Sequence, residues 1–483
     1  MPTILGANQL DTSYEVTNSA RFDNTGGDAL GGTFGTPTNA KKFTLAFWYK
    51  LCSGTTSGGQ VLFGARSGNE NIFLHESTMR MDWNNASGGT INWAPIIRDH
   101  SAWYHFVLAQ DTSQSTNSNR IKFYINGVQI TTLRSGVTAT YPSQNLETGY
   151  NVDGEPFFVS SYNGSAAEIN GYLAEVYFVD GQQYDPTYFG KFDDNGVWVP
   201  VEPGTGDGGT ISYGNNGFLL EFKQTGTSTN SSGIGADTSG NDNHLAVTNL
   251  TSGNVTTDTP TNNFCTWNPL YKNSGNTAYT PSLISEGNLK LTLQNDSSII
   301  GTMGVSSGKW YWEYKLAENT ADNQDYPIFG FATNSHTSSA SNMVGRGTSS
   351  GSTSRGNVGS GRVSNAFDDA SLSANDIIGF YLDLDNETLI LYKNGADWMG
   401  SGATNGLDIS GASYANDADG FFYPFTQNNG LSITGDQANF GNPPFSISSG
   451  NADANGHGNF EYSPTIGGVD YFALCSKNLA EHG

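Results

Sequence analysis

The run Arg120-Ile121-Lys122-Phe123-Tyr124-Ile125-Asn126-Gly127-Val128-Gln129-Ile130 decides the fold class. Asn-Gly between two apolar runs is the strongest local hairpin signal, because both turn positions need a positive φ. Side chains alternate across a strand, so Ile121, Phe123 and Ile125 share one face and can enter a core. Working outward, residues 43–49 (FTLAFWY), 103–108 (WYHFVL) and 171–179 (GYLAEVYFV) read as further strands of the same block. The design returns in the C-terminal half. In residues 309–315 (KWYWEYK), Trp310, Trp312 and Tyr314 fall on one side; residues 376–385 and 388–393 follow, and then a second Asn-Gly at 394–395. Helical periodicity is almost absent. The sequence therefore predicts an all-β protein, two tandem antiparallel β-sandwiches.

Length and composition agree. The 483 residues include 61 Gly and 16 Pro, and only 14% are charged, which points to two or more domains with unusually neutral surfaces. Hydrophobic content is 36%, but the 12% aromatic share supplies large apolar surfaces for cores. Lys plus Arg is 21 and Asp plus Glu is 45, a net charge of −24. That excludes a general nucleic-acid binder, which needs clustered cations, and argues against docking on an anionic membrane. The N-terminal MPTILGANQLDTSYEV lacks a basic start followed by an apolar run, so no cleaved secretory signal is expected. No apolar stretch reaches the ~20 residues of a membrane helix. Cys52, Cys265 and Cys475 lie far apart without a C-x-x-C pair; they are expected to be buried thiols of a protein folded in a reducing cytoplasm.

The expected division is residues 1–202 as the first sandwich, 203–280 as a connector packed on the second, and 281–483 as the second sandwich with a C-terminal tail. The connector opens on the linker-like 202–209 (EPGTGDGG), holds one strand near 216–222, and is polar to about residue 262. Segments 335–364 and 446–459 are rich in Ser, Gly and Asn and read as long surface loops. The first half resembles concanavalin A-like, laminin G-type sandwiches, carried by residues 43–50, 102–105, the hairpin 121–130 and 171–176. The second half resembles a SPRY domain, carried by 307–313 (SGKWYWE), 329–332 (FGFA), 379–385 (GFYLDLD), 391–395 (LYKNG) and 423–425 (YPF). Their order, with 196–200 (GVWVP), 237–241 (DTSGN), 258–263 (DTPTNN) and 472–479 (FALCSKNL), is similar to a family of tailed-phage virion proteins. The resemblance implies a jelly roll followed by a SPRY-like sandwich, exposed on a virion as a tail-fibre-like or other structural component.

Candidate chemistry is sparse. Glycosidases of concanavalin A-like fold need paired carboxylates, and the E-x-D-x-E signature is missing. Asp383 and Asp385 share a strand face but sit before a turn, where carboxylates serve as solvated rim residues or caps. Gly-x-Ser-x-Gly occurs only in broken form at 351–355. His105 reads as a packed sheet residue, and His457 as a solvated loop residue. For calcium, Asp237, Asn241 and Asn243 gather oxygen donors around Gly240; the same residues form Asx turns, which is the preferred reading. Trp83, Trp93 and Trp398 lie beside loops and are candidates to stack on sugar rings, against the alternative that each plugs a sandwich. Arg346, with Arg355 and Arg362, is a cation in a polar loop that could meet a ligand or an acidic neighbouring subunit.

The expected protein is not an enzyme and has no obligatory cofactor. It is a virion structural protein on the outer surface of the particle, assembled in the host cytoplasm. Its expected partners are other virion proteins, further copies of itself in a homo-oligomer, and host cell-surface glycans, with neither nucleic acid nor membrane. A tail-fibre or adhesion role competes with a capsid-decorating or head-knob role; a polysaccharide-degrading enzyme is the third class. Neither heptads nor β-repeats of a fibre shaft are present.

Overall fold

The computed structural model describes residues 14–52, 59–66, 69–75, 77–83, 88–271, 284–293, 297–317, 328–333, 343–346, 356–358, 361–363, 366–367, 372–410, 420–427 and 433–483. The chain forms two compact units, Ala7–Asn262 and one built on Asn263–Gly483. Among the described residues the one α-helix is Ser476–His482, and no helix is long and apolar enough to cross a membrane.

In the first unit one sheet runs in the order Val128–Gln129, Ile121–Ile125, Trp103–Asp111, Lys42–Leu51, Gly171–Asp180, Ser19–Phe22, Val255–Thr256, and Phe218–Leu220 also pairs with Gly171–Asp180. The opposing sheet runs Ala246–Thr248, Ala29–Thr33, Pro156–Val159, Gln60–Ala65, Glu70–His75, Thr78–Trp83, Gly89–Ile96. The deciding hairpin forms as read: Asn126 and Gly127 take φ of 47° and 78°, and Val128 pairs with Ile125. A Cβ at Gly127 would lie 2.3 Å from the Trp198 ring, so the position requires glycine twice over. Ile121 and Phe123 enter the core between the sheets, and Ile125 packs against it.

The expected connector 203–280 is divided between the units. Phe218–Leu220, Ala246–Thr248 and Val255–Thr256 are strands of the first unit, so residues 203–262 complete that sandwich, while the residues from Asn263 on belong to the second unit. The reason is edge satisfaction. Ser19–Phe22 and Ala29–Thr33 would otherwise present unpaired backbone groups, and the polar segment supplies their partners.

The long sheet is apolar on its outer face too. Ala46, Val107, Tyr124, Tyr177 and Leu219 meet Phe189 and Ile211, while Trp48, Trp103 and Tyr172 meet Val16 and Trp198. His105 lies fully buried here, its ring 4.8 Å from that of Trp48, and its Nδ1 accepts from Trp198 Nε1 at 3.1 Å. Burial pushes its pKa down to about 3, so it stays neutral. Beside it a buried ion pair crosses the cover: Lys50 Nζ lies 2.7 Å from Asp258 Oδ2, both side chains wholly enclosed, and Trp103 Nε1 donates to Asp258 Oδ1 at 3.1 Å. Glu175 sits on the bulge where the Gly171–Asp180 strand shifts register against Lys42–Leu51, at φ 47°. Tyr14 donates a short hydrogen bond to its carboxyl.

In the second unit the longer sheet runs Ile284–Ser285, Lys290–Leu293, Ile433–Asn439, Lys309–Lys315, Ile377–Asp383, Thr388–Lys393, Ala396–Asp397. Leu407–Asp408 pairs with Thr388–Lys393, and Phe472–Ala473 adds in parallel to Lys309–Lys315. The opposing sheet runs Ser298–Ile300, Tyr423–Gln427, Ile328–Ala332, Met343–Arg346, Gly356–Val358, Gly361–Val363. Trp310, Trp312 and Tyr314 point into the core between them, as the alternation requires. Tyr311 and Tyr381 occupy the outer face and are covered by Phe460, Tyr471 and Cys475. Glu313 anchors this cover. It accepts from Tyr311 Oη (2.9 Å), Asn439 Nδ2 (2.9 Å), and the Glu461 and Tyr462 amides (3.1 and 2.8 Å). Burial pushes its pKa up to about 7, against these four donors, which favour the ionised form.

Two stability measurements test the polar anchors of the first unit. Asp258→Ala strands a buried ammonium and should cost about 3–5 kcal/mol in urea unfolding of the full chain, whereas Lys50→Met with Asp258→Leu should recover most of that loss. Burial pushes Glu175 from its ordinary 4.5 to about 8, with the Tyr14 hydrogen bond opposing the rise. A carboxyl raised on folding contributes stability below its unfolded pKa and loses it as pH climbs to the folded value. The stability of Glu175→Gln relative to the native chain should therefore rise between about pH 5 and 8, by on the order of a few kcal/mol. A flat difference across that window would contradict the assignment.

Candidate functional site

The aromatic candidates named from sequence are core residues. Trp83 (1% exposed) and Trp93 (3%) belong to the first unit's core, Trp93 against Phe123 at 4.8 Å. Trp398 (2%) stacks on Phe367 in the second, with Lys393 Nζ 5.8 Å from its ring centroid. None can offer a face to a sugar. Trp93 lies inside the strand Gly89–Ile96, not beside a loop, and all three rings fold inward to fill a sandwich. Arg346 ends the strand Met343–Arg346, its backbone paired with Phe329 and Gly356. Arg362 lies in Gly361–Val363, while Arg355 lies outside the described residues.

Asp237, Asn241 and Asn243 do come together, as a turn. Asp237 accepts from the backbone amides of Leu219 (2.9 Å), Ser239 (2.8 Å) and Asn243 (2.9 Å) and from Ser239 Oγ (3.0 Å). Asn241 Nδ2 donates to the carbonyls of Gly214 and Gly217, and Asn243 Nδ2 to those of Asn215 and Gly217, all at 2.7–2.9 Å. Backbone and side-chain donors of the turn engage the Asp237 oxygens. Among the described residues no group of three His, Cys, Asp or Glu is placed to hold a metal ion.

The recess that sequence reading missed lies on the outer face of the second unit, with a volume of about 320 Å³. Its floor is Ile390 and Tyr392 of the strand Thr388–Lys393, joined by Tyr471. Asp397, Met399, Thr404, Asn405 and Gly406 line it from one stretch of chain, and Ile466, Gly467 and Val469 from another. Each stretch is set by a tight turn. Asn394-Gly395 (φ 52° and 77°) folds Ala396–Asp397 back so that Asp397 pairs with Tyr392. Gly467-Gly468 (φ 57° and 81°) closes a hairpin in which Ile466 pairs with Val469, and Thr465 Oγ1 donates to Asp470 Oδ1 at 2.6 Å. Asparagine and glycine are the residues that take two such φ values in succession at least cost.

The floor is rigid. Tyr381 lies 5.2 Å from both Tyr392 and Tyr471, edge to face, and fixes itself by donating to the Ser463 carbonyl at 2.7 Å. Asp397 Oδ1 accepts from the Met399 amide at 2.9 Å, which orients the carboxylate on the wall. Val469 is 39% exposed, and Asp397, Thr404 and Asn405 face solvent. Burial first, then the Asp397 charge, raises the Tyr392 pKa; burial, with Asp383 and Tyr392, raises that of Tyr471 to about 12. Both phenols are neutral hydrogen-bonding groups at physiological pH.

The carboxylate pair Asp383 and Asp385 is committed elsewhere. Lys309 Nζ bridges them at 2.7 and 3.3 Å, and Asn386 donates to Asp383 through its backbone and side-chain nitrogens at 2.9 and 2.8 Å. Burial works to raise the Asp383 pKa, but these bonds hold it below the ordinary carboxylate value. A general acid requires the opposite shift.

Comparison with known proteins finds a match for part of the first unit. Residues 24–182 match the profile of the concanavalin A-like lectin/glucanases superfamily, laminin G type. A Bacteroides ovatus protein named for carbohydrate binding is similar at 13% identity and a TM-score of 0.34, over 50% of this chain and 60% of that one. The SPRY domain of human HERC1 is similar at 16% identity and a TM-score of 0.23, over 31% of this chain and 87% of the domain. Mouse laminin α1 domains LG4–5 are similar at 9% identity and a TM-score of 0.27, over 89% of this chain and 90% of that one. No curated protein matches the chain.

The wall carboxylate can be detected through the floor. Asp397→Asn removes the charge that opposes the Tyr392 phenolate, so in the alkaline absorbance titration of tyrosine the Tyr392 phenol should ionise at lower pH than in the native chain. An unchanged titration would separate Asp397 from Tyr392.

Proposed function

We propose that this chain is a non-enzymatic contact protein on the outer surface of a tailed-phage virion, a tail-fibre-like or adhesion component that holds host-surface glycans or neighbouring virion subunits. The resemblance of its two halves and connecting motifs to phage virion proteins supports the location. The structural observation that carries the contact role is the recess itself: a fixed tyrosine floor with one carboxylate, Asp397, among its lining residues. Glycoside hydrolysis by the usual route needs two opposed carboxyl groups, and the sequence's own candidate pair is bridged by Lys309. A net charge of −24 suits an exterior position, because packaged DNA would repel it. The buried cysteines Cys52, Cys265 and Cys475 suit assembly in a host cytoplasm.

Capsid decoration is the second reading, favoured by the lack of heptads or β-repeats that a fibre shaft would use. Negative-stain images of particles labelled with an antibody to this chain distinguish the two: label at the tail is expected, and label across the capsid lattice would replace the fibre role with decoration. Purified chain incubated with host capsule or lipopolysaccharide should release no oligosaccharide. Release that stops on Asp383→Asn would overturn the non-enzymatic reading.

A further inference from the structure

We infer that the recess between Thr388–Lys393 and the Gly467-Gly468 hairpin is a binding site for an uncharged sugar ring, placing specificity in the second unit instead of the laminin G-type first. The inference rests on the contact reading above and names the ligand class of that site. Three properties of the lining carry it. The volume of about 320 Å³ lies at the small end of the ~300–1,000 Å³ of ligand sites, enough for one or two rings. The floor and one lining stretch are apolar, with Tyr392, Tyr471, Ile390 and Ile466, and suit the C–H face of a pyranose. The other stretch offers a carboxylate acceptor, a hydroxyl and an amide at Asp397, Thr404 and Asn405, which match the donors and acceptors on a sugar's rim.

Charge narrows the class. Among the described residues no Lys or Arg lines the recess, and its one ionised group is Asp397. A uronate, sialic acid or phosphorylated sugar would place its anion against that carboxylate inside a chain of net charge −24. An uncharged ring meets no such opposition, and Asp397 then accepts two hydroxyls without needing a counter-ion. The open walls expose the rim, so the terminal residue of a longer glycan can enter while the rest of the chain continues into solvent.

The test uses the full chain with methyl glycosides of glucose, galactose, mannose and N-acetylglucosamine and with their disaccharides, read by saturation-transfer NMR and calorimetry. At least one should bind with a Kd of about a millimolar, as expected for a shallow site. Thr404→Arg and Asn405→Ala, exposed positions that leave the core intact, should weaken it about tenfold, and Tyr392→Ala should abolish it with the far-UV circular dichroism unchanged. Glucuronate, N-acetylneuraminate and choline should bind more weakly than the best uncharged sugar. The proposal falls if no uncharged sugar in the panel binds, if binding survives Thr404→Arg and Asn405→Ala, or if choline or an anionic sugar is preferred. Attachment of the same variants to host cells and to virions lacking the chain separates the two levels. Attachment equal in native chain and variants, without a sugar signal, removes the sugar site and leaves the contact role. No attachment by the native chain removes both.

Discussion

The long sheet of each unit carries aromatic side chains on both faces, and the opposing sheet can exclude water from only one of them. In the first unit Trp48, Trp103, Tyr124 and Tyr172 would stand in solvent on the outer face; in the second, Tyr311 and Tyr381 would. Burying each large side chain contributes roughly 1.5–3 kcal/mol, so leaving that face wet would forfeit a large fraction of a domain's net stability. The chain covers it with its own irregular segments: residues around 189–211 in the first unit and around 460–475 in the second. The numerous Gly, Asn and Ser residues follow from this task. A covering segment must turn often, lie flat and satisfy its backbone through side-chain bonds, as the Asp237 and Asp453 turns do.

Apolar cover alone does not specify position, because apolar surfaces slide at little cost. Each outer face also carries a buried ionisable group on a central strand that bonds a segment lying over it. Lys50, on the central strand, takes Asp258 from the last segment of the first unit, and Asp258 also receives the Trp103 indole. Glu313, likewise on a central strand, receives two consecutive backbone amides from 461–462. A one-residue slip of either segment would strand a charge away from water, a penalty of several kcal/mol. The anchors thus convert a greasy contact into a registered one.

This division explains what could be read from the sequence. Alternation at 309–315 put Trp310, Trp312 and Tyr314 inside, and Asn126-Gly127 located a hairpin, because both are local facts written in consecutive residues. Alternation says nothing of what meets the opposite face, that of Tyr311 and Glu313, which is buried as well. Its cover comes from residues almost 150 positions away, as the Glu461 to Glu313 bond shows. Residues 203–262 read as a connector because their strands have only two or three residues, too few to display a period of two. Trp83, Trp93 and Trp398 illustrate the converse. A single tryptophan beside a loop carries no periodic information about its face, and packing density decided the matter.

The recess emerges from the same constraint at the place where cover runs out. Along the second unit's outer face the aromatic row passes from Tyr311 to Tyr381 and on to Tyr392, and rings in contact 4.6 and 5.2 Å apart carry rigidity from the Glu313 anchor outward. The covering segment turns through Gly467-Gly468 before Tyr471, and among the described residues Ile390 and Tyr392 stay only half-buried at the recess. An exposed apolar floor on a folded chain is a liability unless something occupies it. Here it is small, framed by short polar side chains and held by edge-to-face contacts that limit its collapse. Those features fit the sugar ring inferred above, which has one apolar face and a polar rim, while offering too little flat area for nonspecific association.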